Sequence, residues 1–225
     1  MNCCPSASQI AFQFDRRVAE RDLHRYRRRG PDPTTRLMLK ELGRWPLHGT
    51  TLLDIGGGIG VLGAELAGVL GSTIHVEAAP AYQEVARREL EQRLGADRAR
   101  FLEGDFVSIA DTVPPVDVVT LDRVVCCYPD ASALLGKAAA KAQRLLAFSY
   151  PRARWYVRLL VWLENLWRRV TGNPYRGFVH APRRMGEELE RAGLVHSGRR
   201  GTMAWIVDVY HRPNPDAATW QARLD

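Results

Sequence analysis

Nowhere in this chain do about 18 apolar residues run uninterrupted, the length a helix needs to cross a bilayer, so no membrane span is expected. The opening residues Met1-Asn2-Cys3-Cys4-Pro5 lack the basic start and apolar core of a secretory signal, which makes the cytoplasm the default compartment. Lysine is scarce: Lys40, Lys137 and Lys141 are the only ones among 32 basic residues, so arginine carries the net charge of +7. Such a surface suits an arginine-rich solvated face, or attraction to nucleic acid, acidic lipid or an anionic substrate. The four cysteines form two adjacent pairs, Cys3-Cys4 and Cys126-Cys127. Neighbouring cysteines bridge poorly, and this spacing matches no zinc-binding CxxC framework, so no metal is expected. There are no internal repeats or low-complexity tracts. With 225 residues and 46% hydrophobic content the chain suits one domain with a good core. Little chain is left for the substrate-binding domain that a dehydrogenase usually carries.

What is present centres on Leu52-Leu53-Asp54-Ile55-Gly56-Gly57-Gly58-Ile59-Gly60. An apolar run ending in an acid meets a glycine-dense turn, followed by an apolar helical pattern (Val61, Leu62, Leu66, Val69, Leu70). This is the layout of a buried parallel strand, a tight loop and a helix N-terminus that cradles an adenosyl cofactor. Gly58, Gly60 and Gly63 also satisfy the dinucleotide GxGxxG fingerprint, which leaves an NAD(P)-binding reductase as the alternative. Asp54 argues against it. A pyrophosphate on the helix N-terminus would be repelled by that carboxylate, whereas S-adenosylmethionine (SAM) brings an ammonium and a sulfonium that it favours. Residues 73–77 read as a second strand ending in Glu77, spaced to bind both ribose hydroxyls. Residues 100–106 read as a third, ending in Asp105, placed to accept from the adenine amino group while Phe106 packs on the ring.

Three acids at the carboxyl ends of successive strands mark the edge where open α/β sheets bind ligands. On these residues the chain resembles the class I SAM-dependent methyltransferases from about Thr50 to its final strands. The resemblance implies a Rossmann-like three-layer α/β sandwich with a seven-stranded, mostly parallel sheet whose last strand is antiparallel. It also implies cofactor contacts from Asp54, Gly56, Gly58, Gly60, Glu77 and Asp105, with Ala78, Phe106 and Asp122 completing the set. Residues 1–48 are expected to form a helical arm, 49–212 the catalytic domain and 213–225 a tail.

In the arm, Phe12, Phe14, Val18, Leu23 and Tyr26 alternate with arginines in a basic helix, broken at Gly30-Pro31-Asp32-Pro33. Thr34-Thr35 can cap a second helix through Leu42. Downstream, residues 116–122 and 144–150 read as strands four and five, 131–142 as an alanine-rich helix, 154–170 as a long helix and 182–192 as another. Two final strands lie near 194–199 and 202–210.

Methyl transfer from a sulfonium is an in-line displacement, so an enzyme mainly positions the nucleophile and excludes water. Groups able to take a proton from an O, S or N nucleophile must lie beyond strands four and five or on segments folding over them. His180 is the leading base, with Tyr128, Tyr150, Asp122 and the arm residue Tyr26 as further candidates. Pro114-Pro115 precedes strand four, on the wrong side of the sheet for the Pro-Pro-aromatic turn of amino-methylating nucleic-acid enzymes. Asp122 has no Asp-Asn partner of the metal-dependent catechol type. A metal-independent enzyme acting on a hydrophobic small molecule is the expectation.

The downstream half is similar to the magnesium-protoporphyrin O-methyltransferase branch, in Asp122, Tyr128-Pro129, Phe148-Ser149-Tyr150-Pro151, the Trp-rich helix and His180-Ala181-Pro182. Cys127 stands where that branch carries histidine, so the similarity implies the fold and cofactor more than the porphyrin. Cys126 and Cys127 should border the methyl-transfer site. Were Cys3 and Cys4 to reach the same mouth, the thiols would suit a thiophilic acceptor or a redox switch. The helix bearing Trp155, Trp162 and Trp167 sets a basic face against a wide apolar one. It reads as a core-packed helix, a lid over a flat substrate, or a peripheral contact with anionic membrane. The same features keep open a membrane- or nucleic-acid-associated binding protein, with nucleic acid the less favoured partner.

Overall fold

The computed structural model describes residues 14–213; Cys3, Cys4, Phe12 and Trp220 lie outside the described residues. At its centre is a seven-stranded sheet ordered β3-β2-β1-β4-β5-β7-β6. The strands are β1 (Thr51–Ile55), β2 (Ser72–Glu77), β3 (Ala99–Glu103), β4 (Val116–Leu121), β5 (Ala142–Pro151), β6 (Val195–Gly201) and β7 (Trp205–His211). β1 pairs in parallel with β2 and β4, in a register that puts Asp54 between His75 and Thr120. Only β7 is reversed, running antiparallel to both β5 and β6.

The central strands are almost continuously apolar because both faces of the sheet are covered. Leu53, Val119, Leu121 and Phe148 enter one core, under α6 (Ala131–Lys141) and α8 (Pro182–Arg191). Their neighbours Leu52, Val118, Leu145 and Ala147 point the other way, as the period of a strand requires, and pack on Met38, Leu42 and Leu62. These belong to α2 (Pro33–Leu42) and α3 (Val61–Glu65). The result is the three-layer sandwich expected from sequence.

The arm forms α1 (Arg16–Arg29) and α2. α1 lies on α4 (Pro80–Leu94), burying Ala19, Leu23 and Tyr26 against Ile59, Ala79, Tyr82 and Val85. Several of its charges pin this contact: Arg16 meets Glu84 at 3.2 Å, Arg88 meets Glu20 at 2.6 Å, and Arg27 pairs with Glu89.

Three local expectations change. The cap of α2 is Asp32, not Thr34 or Thr35: its carboxylate accepts from the amides of both threonines, which frees the Thr35 hydroxyl for the site. α3 stops at Glu65 and residues 66–69 are turns, because Gly68 disfavours helix, although Leu66 and Leu70 are still buried. The third strand ends at Glu103, and Asp105 instead caps the short α5 (Phe106–Ile109).

Candidate active site

Two adjoining cavities of about 280 and 450 Å³ open at the carboxyl ends of the parallel strands. They share Asp22, Gly56, Gly58, Tyr82, Asp122 and Arg123, and so form one cleft under the arm. Its floor is the turn after β1. Gly56 has φ of +60°, and a Cβ there would sit 2.6 Å from Val124 Cγ2. At Gly57 a Cβ would meet Asp54 Oδ2 at 2.4 Å and His75 Cε1 at 2.6 Å. Only glycine allows the backbone to pass this close.

Asp54 is buried beneath that turn. Its Oδ1 accepts from Thr120 Oγ1 at 2.8 Å, while Oδ2 has no hydrogen-bond partner. Burial pushes its pKa up to about 7; the Thr120 hydrogen bond opposes this, and the charges of Asp122 and Glu77 add to it. His75 beside it is driven down to about 4 by burial. It is therefore neutral at physiological pH and supplies no counter-charge. Glu77, also buried, accepts from Gly58 N and Ala79 N at 2.9 Å each. Burial raises its pKa and those backbone donors lower it. Two of roughly four acceptor sites on the carboxylate are thus taken and the rest remain for a ligand. Ala78, Asp105 and Phe106 line the larger cavity next to it. Asp105 is held by Ser108 Oγ at 2.7 Å and by the Tyr128 hydroxyl at 3.3 Å.

Asp122 joins β4, β5 and the arm. It accepts from Ser149 Oγ at 2.6 Å and from Thr35 Oγ1 at 2.5 Å. Ser149 Oγ in turn accepts from the amide of Arg123 at 2.7 Å. Arg123 adopts φ of +60°, a conformation unusual for a side chain of this size, and its guanidinium lies 2.6 Å from Asp32. The smaller cavity also holds Arg25, Arg36 and Tyr26 from the arm. The Tyr26 hydroxyl donates to Glu65 at 2.5 Å, and burial together with this acceptor raises its pKa. The larger cavity reaches Cys126 and Cys127, whose sulfurs lie 3.5 Å apart. Tyr175 donates to Cys127. The hydrogen bond with the Cys126 thiol, then that contact and the Arg168 charge, push the Cys127 thiol down against the effect of burial, while Cys126 is pushed up.

No protein-family model matches the sequence, and no curated protein does either. Solved structures do match in shape. The magnesium protoporphyrin IX methyltransferase of Synechocystis PCC 6803 with bound SAH superposes with a TM-score of 0.69 at 19% identity, over 93% of this chain and 100% of that one. An O-methyltransferase family protein from Burkholderia thailandensis gives 0.71 at 20% identity, covering 91% of this chain and 62% of that one. A putative methyltransferase of Haloferax volcanii, solved with its Trm112 activator, gives 0.68 at 19% identity over 91% and 98%. The strand order separates these from the dinucleotide folds, which run 3-2-1-4-5-6 without a reversed strand between the fifth and sixth. Here β7 occupies that place. The fold is that of the class I methyltransferases.

Within this methyltransferase fold the cleft gathers Asp54, Gly56, Gly58, Glu77, Ala78, Asp105, Phe106, Asp122, Tyr26 and Tyr128. Gly60 lines neither cavity. With φ of +80° it begins α3 and lies under Leu90, whose Cγ a Cβ would approach to 3.1 Å. His180 is also outside the lining: its Nε2 sits 2.9 Å from the Tyr128 carbonyl and its ring stacks on Phe178. That bond fastens the segment before α8 to the turn after β4. Tyr150 lines neither cavity. It is buried against Phe148 and donates to Asp208 at 2.7 Å. Its neighbour Ser149, missed in the sequence, is buried and lines neither cavity either, but it holds Asp122, which lines both. Also missed were Gly57, Thr35, Asp22 and Tyr175. Gly57 was legible in the glycine run, but the others depend on how the arm and the segment after α7 (Trp155–Val170) fold back.

Proposed function

We propose that this chain is a SAM-dependent methyltransferase that methylates an O, S or N nucleophile of a hydrophobic small molecule without a metal. The observation carrying this reading is the buried Asp54, whose Oδ2 lacks a partner beside a turn that only glycine can form. A carboxylate pushed up to about 7 is a costly group unless a cation offsets its charge. SAM fits, since it brings two positive centres and no phosphate. Two solved neighbours, the Synechocystis enzyme with bound SAH and the same enzyme with bound SAM, carry this ligand.

When bound, SAM supplies a methyl group on a good leaving group, displaced in line by the acceptor. The chain's residues then have defined tasks. Glu77 offers its free lone pairs to the ribose hydroxyls. Phe106 and Tyr128 wall the adenine side, with Asp105 as acceptor. Asp54 and Asp122 favour the cationic end, and Arg25 and Arg36 of the arm favour the carboxylate of the amino-acid moiety. The arm over the smaller cavity keeps water from the sulfonium.

The acceptor side is apolar: Phe14, Val161, Phe178 and Trp205 line the larger cavity, whose size suits a small organic molecule. Tyr128, Cys126 and Cys127 also line it, and an acceptor that ionises readily, such as a phenol or thiol, needs mainly to be oriented there. Screening hydrophobic phenols, thiols and amines with methyl-labelled SAM tests this. Label transferred to such a compound, and lost in Glu77→Ala, supports it; cofactor binding with label moved only to polar or macromolecular acceptors sinks the substrate class.

A further inference from the structure

α7 is an amphipathic helix turned inside out. Of its 16 residues only Val157 is buried. Trp155 is 77% exposed, Trp167 69% and Val170 74%, and Leu160, Trp162 and Leu166 are exposed with them. At about 100° per residue these fall on one broad arc. The opposite side holds the helix to the protein through polar groups: Asn165 exchanges two hydrogen bonds with the backbone of Gly177, at 2.8 and 2.9 Å. The core-packed reading of this helix therefore fails. The apolar patch continues to Met203, 86% exposed, whose carbonyl accepts from Tyr156 at 2.7 Å. Soluble monomers rarely leave so large a contiguous apolar surface bare.

The charges beside the patch indicate what covers it. Arg154, Arg158 and Arg169 are exposed, and none has a carboxylate within salt-bridge distance among the described residues, whereas the arginines of α1 that face α4 are paired. Arg158 and Arg169 lie at one edge of the apolar arc, and Arg154 precedes its first tryptophan. Unpaired cations flanking a tryptophan-bearing apolar face form the pattern of a helix lying in the plane of an anionic bilayer surface. The helix, about 24 Å long, is too short to span one.

We propose that α7 docks this protein on anionic lipid, apolar face in the headgroup boundary and arginines on the phosphates. The geometry gives docking a purpose. The inner side of the same helix lines the larger cavity through Val161, Glu164 and Arg168. Docking therefore brings the cavity's wall to the lipid, where a hydrophobic acceptor concentrates. This last step rests on the methyltransferase reading; the docking itself does not.

The test is flotation of the full chain with vesicles of phosphatidylcholine and phosphatidylglycerol, against phosphatidylcholine alone, in the absence of SAM. The anionic vesicles should carry the protein up and the neutral ones should leave most of it behind. Trp155→Ser/Trp162→Ser/Trp167→Ser should abolish flotation. Arg154→Ala/Arg158→Ala/Arg169→Ala should weaken it on the order of a hundredfold. Both variants change only exposed side chains, and an unaltered circular-dichroism melt keeps each result interpretable. The proposal is overturned if the unaltered chain stays down with anionic vesicles, or if the tryptophan variant floats equally well. It is equally overturned if the chain forms a dimer that the tryptophan changes dissolve and binds no vesicle, since the face then joins two copies. Because flotation needs no cofactor, failure here leaves the SAM reading standing, and failure of SAM binding leaves docking standing.

Discussion

The Thr35 hydroxyl donates to Asp122 at 2.5 Å, joining the first turn of an arm helix to the carboxyl end of β4. Asp32 makes this possible by capping α2 in place of the threonines. One hydrogen bond therefore couples arm closure to the orientation of an acid in the cleft. Thr35→Val removes a donor to a buried carboxylate, which typically costs about 1.5–3 kcal/mol. The expected outcome is a lower melting temperature and roughly tenfold weaker SAH binding by calorimetry, since a change near 1.4 kcal/mol is tenfold.

Asp54 carries an opposed pair of effects. The folded protein holds its proton up to about pH 7, whereas the ordinary value is 3.8. Between those values the native state binds more protons than the unfolded chain, so this group's contribution to stability falls as pH rises through the window. A cationic ligand prefers the ionised carboxylate, so SAM affinity should rise with pH through about 7 and level off above it. Asp54→Asn should raise the melting temperature of the ligand-free protein above pH 7, weaken SAM binding and flatten both profiles. Thermal melts and calorimetry across pH check the signs.

His180 should matter little to the chemical step. His180→Ala deletes the link to the Tyr128 carbonyl, worth about 1 kcal/mol, and kcat is expected to stay within about tenfold. Single-turnover measurement distinguishes this from general-base catalysis, whose loss costs about a hundredfold to ten-thousandfold with cofactor affinity unchanged.

The thiols offer a spectroscopic view of the cleft. Cys127 is pushed down and Cys126 up, and both line the larger cavity. Alkylation at neutral pH should be dominated by Cys127, lose its faster phase in Cys127→Ser, and slow when SAH fills the cleft. Equal rates with and without SAH would place the thiols outside the cofactor's reach.

The parallel strands and their acids were legible because a buried strand ending in an acid before glycines has few other uses. Asp54 reaches the cleft edge for that reason and Glu77 as the last residue of β2, whereas Asp105 lies past the end of β3 and lines the cleft as the cap of α5. Strand alternation puts Ser149 and Tyr150 on opposite faces of β5, but it does not show which of them holds an acid of the cleft, as Ser149 holds Asp122. Position before a helix places His180 near the site but does not show that its ring meets the Tyr128 carbonyl. Contacts across distant segments, such as Thr35 with Asp122 or Tyr175 with Cys127, have no periodic signal. The inverted face of α7 was hidden because composition gives a helix its stripe without saying which side meets the protein.

The most direct test of the account is calorimetric titration of the full chain with SAM, SAH and NADH, repeated with Glu77→Ala. The account predicts binding of SAM and SAH at a single site, no heat from NADH, and loss of at least about tenfold in affinity when the ribose acceptor is removed. Binding of NADH without SAM, or SAM binding indifferent to Glu77, would contradict it.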